Sequence, residues 1–111
     1  MVDIIYDDNA IRLFGVATPG TRVITYNNEP VGIIDFYIRG DKIHISYIKI
    51  GDKFRRQGIA AKVINRFKEN HKGKYITGDS LPKAIEFWRS MGAEFYEDPD
   101  DDYCTPFIIE Y

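Results

Sequence analysis

The spacing of apolar residues changes at Gly51, and that change limits the folds open to this chain. Before Gly51, Ile, Val, Tyr and Phe recur with polar residues in three runs, RVITYN, VGIIDFYIR and KIHISYIKI. Such runs are typical of β-strands. Short turn sequences separate them at Asn27–Pro30 and at Gly40–Asp41. We therefore predict an antiparallel meander in the first half of the chain.

After Gly51, segments with helical spacing alternate with short strand-like runs. Residues 60–67 form one predicted helix, which should end near His71–Gly73. A second helix should begin after Asp79 or Ser80, either of which could cap it, and should end at Gly92. Its predicted apolar stripe comprises Leu81, Ala84, Ile85, Trp88 and Met91, with Pro82 in the first turn.

The remaining runs complete a mixed pattern of strands and helices. KYITG, AEFY and TPFIIEY are predicted strands, and VDIIY and IRLFG are weaker strand candidates. The order of strands, helix, strand, helix, strand and strand indicates an α/β domain of the α+β type, with a largely antiparallel sheet and two main helices. At 111 residues, the chain has the size of a single domain, residues 1–111.

Charge and cysteine content exclude several classes of function. The formal net charge of -2 argues against a general nucleic-acid-binding protein. The single cysteine, Cys104, excludes an internal disulfide and a multi-cysteine zinc site, so we expect no metal and a reducing, cytoplasmic location. We see no signal-peptide pattern and no apolar run long enough to cross a bilayer, so we expect no membrane partner.

Residues 54–61, FRRQGIAA, place two arginines and a glycine where the first helix is predicted to begin. The first N–H groups of a helix lack intrahelical partners and lie at the positive end of the helix dipole. Gly58 lets a ligand approach the backbone closely, and Arg55 and Arg56 could contact phosphate oxygens. The segment therefore predicts a pyrophosphate site. The alternative is that both arginines are solvated surface residues.

The same segment resembles the acetyl-CoA signature of the GNAT family of N-acetyltransferases, and it is neither a Walker A loop nor a Rossmann fingerprint. The resemblance lies in Arg55-x-x-Gly58-x-Ala60, after a strand that ends at Ile50, with an aromatic residue at Phe54. Residues at the positions of the family's second motif follow: Ser80, Ala84, Phe87, Trp88, Gly92 and Phe95. The resemblance covers roughly residues 42–95, about half of the chain.

The resemblance implies a sheet that splays near its middle and binds acetyl-CoA there. Backbone groups at the end of the central strand would pair with pantetheine, and an N–H there would stabilise an oxyanion. Amides from Gln57 to Ala61 would hold the pyrophosphate, and the acetyl group would pass directly to an amine. The cofactor-binding residues expected on this basis are Ile48, Lys49, Ile50, Arg55, Arg56, Gln57, Gly58, Ile59, Ala60, Ala61, Ser80, Lys83, Phe87 and Trp88.

Two catalytic roles follow from this chemistry. His44 is a candidate general base because imidazole exchanges protons near neutral pH, although it could instead be structural. Many family members place a tyrosine at the position of Trp88, where it protonates the leaving thiolate. An indole cannot act as that acid, and Trp88 could simply be a core residue. The candidate acids are Tyr103, Tyr47, Tyr96 or water.

The segment before the meander predicts an open acceptor site. The family usually has one or two helices there, whereas residues 7–21 contain two glycines and a proline and show no helical stripe. An open site suits an exposed protein amine or a polyamine. The rival hypothesis is a catalytically weak or inactive CoA-binding module that acts through a protein partner. The sequence leaves the acceptor and the oligomeric state open.

Overall fold

The structure is a computed structural model, and it describes residues 1–7, 14, 20–99 and 102–111. The strands in this part of the chain are β1 (Val2–Ile5), β2 (Thr21–Tyr26), β3 (Glu29–Arg39), β4 (Lys42–Ile50), β5 (Tyr75–Ser80), β6 (Ala93–Phe95) and β7 (Thr105–Glu110). The helices are α1 (Ile59–Asn70) and α2 (Ile85–Ser90), with 3-10 turns at Asp52–Phe54 and Pro82–Ala84.

The described strands hydrogen bond in the order β1-β2-β3-β4-β5-β7-β6. The antiparallel pairs include β1 with β2, β2 with β3, β5 with β7, and β6 with β7. β4 and β5 run parallel because α1 forms the crossover connection between them. The predicted mixed, largely antiparallel sheet with two main helices is therefore confirmed.

The turn between β2 and β3 is tighter than its sequence suggested. Asn27 and Asn28 have φ angles of 51° and 69°, and Tyr26 pairs with Glu29. Left-handed conformation at both central residues is the hairpin geometry that matches the twist of the strands, and asparagine tolerates it well. Pro30 therefore belongs to β3 rather than to the turn.

The chain forms two compact units, and the first comprises Met1–Phe36 and Tyr47–His71. Within this unit, the ring of Phe67 on α1 packs 5.0 Å, centroid to centroid, from that of Phe36 on β3. Each fully buried aliphatic or aromatic side chain contributes about 1.5–3 kcal/mol to the stability of the fold relative to an exposed one. The buried face of α1 therefore holds the helix against the sheet. The buried residues of α1 are Ile59, Val63, Ile64 and Phe67, and those of β2 and β3 include Val23, Ile24, Ile33 and Ile34.

The second unit comprises Tyr37–Ser46 and Lys72–Tyr111. Its core is aromatic at the centre, where the ring of Trp88 stacks on that of Phe107 at 4.2 Å and 26°. A Cβ on Gly78 would lie 2.8 Å from the Phe107 ring, so β5 needs glycine at this position. The rings therefore join α2 to the sheet in this unit.

The start of the second helix differs from the prediction. Ser80 pairs with Thr105 as the last residue of β5, and its hydroxyl donates to the carbonyl of Leu81 at 2.9 Å. The α2 N-cap is Ala84, with no side-chain hydrogen bond, so neither Asp79 nor Ser80 caps it. Leu81 is 62% exposed and lies outside the apolar stripe. Strand pairing extends β5 and delays the helix.

Both helix ends agree with the predicted positions. α1 stops at Asn70 because His71 is extended, and the His71 N–H donates to the Phe67 carbonyl at 2.9 Å. Gly92 follows α2 with φ of 93°, a conformation that favours glycine. The candidate strand IRLFG lies outside the described residues except for Phe14. Among the described helices, none has the length and apolar character needed to span a membrane.

Candidate active site

The central strand β4 extends beyond its ladder with β5. That ladder joins Lys42–Ile45 to Tyr75–Gly78, whereas β4 continues to Ile50. Within the described residues, Ile48–Ile50 therefore have no partner in this ladder. This is the pairing pattern expected of a sheet that splays, and it leaves backbone groups at the end of β4 to accept an added strand.

A short, sharply bent segment joins β4 to α1. The Gly51 N–H donates to the Val31 carbonyl at 2.8 Å, and the Phe54 N–H donates to the Gly51 carbonyl at 2.9 Å. Arg56 then has φ of 65° and Gly58 has φ of 72°. The left-handed conformation costs a non-glycine residue about 1–2 kcal/mol, so the segment keeps a strained residue at Arg56.

Gly58 is the N-cap of α1 and leaves that helix end open to an anion. It makes no side-chain cap hydrogen bond, and the first turn contains no acidic residue. The first intrahelical bond runs from the Lys62 N–H to the Gly58 carbonyl, at 3.1 Å. The preceding N–H groups lie at the positive end of the helix dipole. A phosphate group would satisfy them and complement the dipole.

The two arginines of the segment differ in their surroundings. The Arg55 Nε donates to the Ile50 carbonyl at 3.2 Å, and its guanidinium lies 3.2 Å from an Asp52 carboxylate oxygen. Both side chains of this ion pair are mostly exposed, so it contributes little to stability. It does, however, orient Arg55 across the turn. Arg56 is exposed.

Sequence reasoning missed one cation at this turn. The Lys62 Nζ lies 3.7 Å from the point where a Cβ on Gly58 would stand, and 5.8 Å from the centroid of the Tyr26 ring. Side chains on a helix point back toward its N-terminus, which is how Lys62, one turn further along, reaches the cap. The helical spacing alone had placed Lys62 on the outer face. The tendency of helical side chains to point toward the N-terminus was the signal that could have placed Lys62 near Gly58.

His44 lies in the second unit with two neighbours on the sheet. Its Nδ1 is 2.9 Å from the Thr77 hydroxyl oxygen, and its ring centroid is 5.1 Å from that of Tyr37. Thr77 is also the strand partner of His44. With Nδ1 engaged, Nε2 is the ring atom left to exchange a proton with a substrate.

The aromatic pair of α2 lies mostly in the core of the second unit. Trp88 is 4% exposed, and its ring is 4.9 Å from that of Phe87 as well as stacked on Phe107. This packing favours the structural interpretation of Trp88. Ser80 is fully buried, whereas Lys83 is exposed.

The proposed acids are exposed to different extents. Tyr103 is 72% exposed, Tyr96 is 66% exposed and Tyr47 is 38% exposed. The structure brings Tyr47 and the segment from Ile48 to Ala61 together in the first unit. The other site residues predicted from sequence belong to the second unit, and these are His44, Ser80, Lys83, Phe87, Trp88 and Tyr103.

Comparison with known families decides the class of protein. A sequence profile described as an acetyltransferase (GNAT) domain matches residues 15–102, which include β4, the turn and both helices. This chain belongs to the GNAT acetyltransferase family. The resemblance first read from the Arg55-x-x-Gly58-x-Ala60 spacing is thereby confirmed. A sequence search of curated proteins gave no significant match to this GNAT chain.

Solved structures share the GNAT fold at low sequence identity. An acetyltransferase from Thermus thermophilus is similar with a TM-score of 0.74 and 16% identity, over 100% of this chain and 97% of that one. Naa50 from Arabidopsis thaliana, in complex with the bisubstrate analogue CoA-Ac-MVNAL, is similar with a TM-score of 0.72 and 17% sequence identity. The match covers 100% of this chain and 98% of that chain. A GNAT acetyltransferase from Elizabethkingia anophelis with acetyl-CoA bound has a TM-score of 0.67 and 14% sequence identity. The match covers 100% of this chain and 97% of that chain.

Proposed function

We propose that this GNAT protein transfers the acetyl group of acetyl-CoA to an amine. The observation that carries the proposal is the open N-terminus of α1 at Gly58, which follows the part of β4 that has no partner in the β4–β5 ladder. A pyrophosphate carries negative charge and many acceptor oxygens, and this end of the helix offers donors and positive charge. Two structural neighbours, Naa50 and the Elizabethkingia enzyme, have a CoA bisubstrate analogue and acetyl-CoA bound, respectively.

The proposed cofactor contacts follow the chain. Backbone groups of Ile48–Ile50 would pair with pantetheine as an added strand. The amides of Gln57–Ala61 would hold the pyrophosphate, and Arg55, Arg56 and Lys62 would supply charge-assisted hydrogen bonds to it. From the second unit we propose Ser80, Lys83, Phe87 and Trp88 as further cofactor-binding residues.

The chemical step is acyl transfer from sulfur to nitrogen. The amine nitrogen attacks the thioester carbon, the carbon–sulfur bond breaks, and CoA leaves as a thiolate that takes up a proton. A backbone N–H of Ile48–Ile50 would stabilise the oxyanion of the tetrahedral intermediate. His44 would act as the general base, with its Nε2 atom accepting the proton that the amine loses. The proton for the thiolate comes from Tyr103, or from Tyr47, Tyr96 or water.

The acceptor proposed from the segment before the meander is an exposed protein amine or a polyamine, and the proposed location is the cytoplasm. The bisubstrate analogue bound to Naa50 joins CoA to a peptide, which supports the protein amine for this chain as well. The acidic residues between Glu94 and Asp102 could attract a cationic acceptor.

A second candidate function is a CoA-binding module with weak or no turnover. The burial of Trp88 against Phe107 favours it, because no acid occupies that position. One experiment separates the two functions: thermal unfolding with CoA, followed by thiol release from acetyl-CoA with a panel of amines. Stabilisation by CoA with no thiol release would support the module, and release that depends on one amine would support the enzyme. No stabilisation by saturating CoA would contradict both.

A further inference from the structure

A cavity of about 560 Å³ lies in the first unit, beside the end of β4. Its volume is within the range of sites that hold small ligands. Apolar and charged side chains line it together, and these are Phe14, Pro30, Phe54, Glu29, Lys49 and Lys53, with the backbone of Gly51. A Cβ on Gly51 would lie 3.2 Å from the Phe14 ring, so glycine lets that ring close one wall.

Among the residues that the structure describes, few charges around this cavity are paired. Asp52 also lines it but pairs with Arg55 at 3.2 Å. The side chains of Glu29, Lys49 and Lys53 have no hydrogen-bond or ion-pair partner among residues 1–7, 14, 20–99 and 102–111. Two lysines and one glutamate without a described partner therefore lie among the lining residues, together with apolar side chains. A complementary ligand has an amine, a negative charge close to it, and an apolar group.

This charge pattern distinguishes between the acceptor classes. A polyamine carries only positive charge, and each of its ammonium groups would be repelled by Lys49 and Lys53. A peptide N-terminus with an apolar first side chain and an acidic second side chain has all three complementary groups within two residues. Lys49 belongs to the stretch of β4 assigned above to pantetheine, so a ligand in the cavity lies beside the proposed thioester.

We propose that this cavity binds the acceptor, and that the acceptor is the N-terminal amine of a peptide whose first residue is apolar and whose second is acidic. The inference rests on the proposed acetyltransferase function. Glu29 binds the ammonium group, the Phe14, Pro30 and Phe54 surfaces contact the first side chain, and Lys49 and Lys53 bind the acidic side chain. The ammonium first gives one proton to the general base, and its nitrogen then attacks the thioester carbon. The carbon–sulfur bond breaks, the nitrogen loses its second proton, and the CoA thiolate takes up one proton, so that the net products are the amide, CoA and one proton.

The test compares peptides that differ in one charge. Phe-Asp-Gly-Gly amide, Phe-Asn-Gly-Gly amide and spermidine are supplied with acetyl-CoA, and product and free thiol are measured. We expect kcat/KM for the aspartate peptide to exceed that for the asparagine peptide by about tenfold, the scale of one charge-assisted hydrogen bond in an open site. Spermidine should be the poorest acceptor.

Variants test whether the preference for the aspartate peptide arises from the side chains that line the cavity. Lys49→Gln together with Lys53→Gln should remove the preference for aspartate, and Glu29→Gln should raise the peptide KM about tenfold. Glu29→Gln should leave the KM for acetyl-CoA unchanged, because Glu29 lies outside the proposed cofactor contacts. Lys72→Gln is the matched control, because Lys72 is exposed and lies outside the cavity lining. It should behave as the wild type does.

Several results would overturn the inference. These are equal rates with the aspartate and asparagine peptides, spermidine as the best acceptor, acetylation of an N-blocked lysine peptide in preference to a free N-terminus, or lysine variants that raise the KM for acetyl-CoA instead. In those cases CoA still stabilises the protein and an amine still releases thiol, so the proposed function stands. No thiol release with any amine overturns the function and, with it, this inference.

Discussion

Gly58 combines two requirements at one residue. Its φ of 72° favours glycine, and its position at the N-cap of α1 places it where the pyrophosphate is proposed to bind. A Cβ there would meet only Lys62 Nζ, at 3.7 Å among the described atoms, so a small side chain has space. The cost of an alanine is therefore backbone strain of about 1–2 kcal/mol rather than a steric clash.

These two requirements can be separated by substitution. We expect CoA to raise the melting temperature of the wild type, because a ligand that binds only the folded state stabilises it. Gly58→Ala should lower the starting melting temperature and reduce the CoA shift. Gly58→Glu should carry the same strain and abolish the shift, since its carboxylate repels the pyrophosphate. Equal CoA shifts in both variants, measured by thermal unfolding, would place the phosphate elsewhere.

His44 is predicted to act through the ring nitrogen that Thr77 does not engage. His44→Ala should lower the rate about 100-fold, the scale of a positioned base. Thr77→Val should lower the rate less, because it releases Nδ1 without removing the ring. All three proteins are compared on one amine with saturating acetyl-CoA, and a wild-type rate in His44→Ala would make His44 structural.

At the scale of elements, the helix α2 is held by Trp88. The indole is 4% exposed and stacks on Phe107 at 4.2 Å. Trp88→Ala should therefore cost about 3–5 kcal/mol of unfolding free energy. Trp88→Phe keeps a ring there and should cost roughly 1–3 kcal/mol. Urea unfolding gives both values.

The same variants test the catalytic role of α2. Because the indole is not an acid, Trp88→Phe should leave kcat close to that of the wild type. A large loss of kcat in Trp88→Phe, with the fold and the CoA affinity retained, would reveal a direct role for the indole. Phe95→Leu, at the edge strand β6, is a control for loss of an aromatic residue from this unit.

Elements that depend on local signals could be predicted from the sequence. β4 has the predicted limits, Lys42–Ile50, because turn residues stand at both ends. The start of α2 was predicted wrongly because the partner of Ser80 is Thr105, which is remote in sequence. The contact of His44 with Thr77 was missed for a similar reason, since the register of a parallel pair depends on packing rather than on neighbouring residues. The family resemblance at Arg55-x-x-Gly58-x-Ala60, by contrast, needed only local spacing.

At the scale of the whole molecule, charge is segregated along the chain. Residues 53–74 contain eight Lys or Arg residues and one acid, and residues 94–102 contain six acids and no base. A net charge of -2 hides this separation. The first unit carries the residues proposed to hold the pyrophosphate, and the second carries the acidic segment. An anionic cofactor would therefore be attracted by the basic segment of the chain.

This segregation of charge predicts that the KM for acetyl-CoA depends on the salt concentration. Raising the ionic strength from about 0.01 M to about 1 M shortens the Debye length from about 30 Å to about 3 Å. Since acetyl-CoA is anionic, its KM should rise several-fold over this range while kcat changes little. The double variant Arg55→Gln and Arg56→Gln should start with a higher KM and show a flatter dependence, whereas Lys72→Gln should follow the wild type. If the KM for acetyl-CoA does not change with ionic strength, backbone groups rather than the two arginines account for phosphate binding at the start of α1.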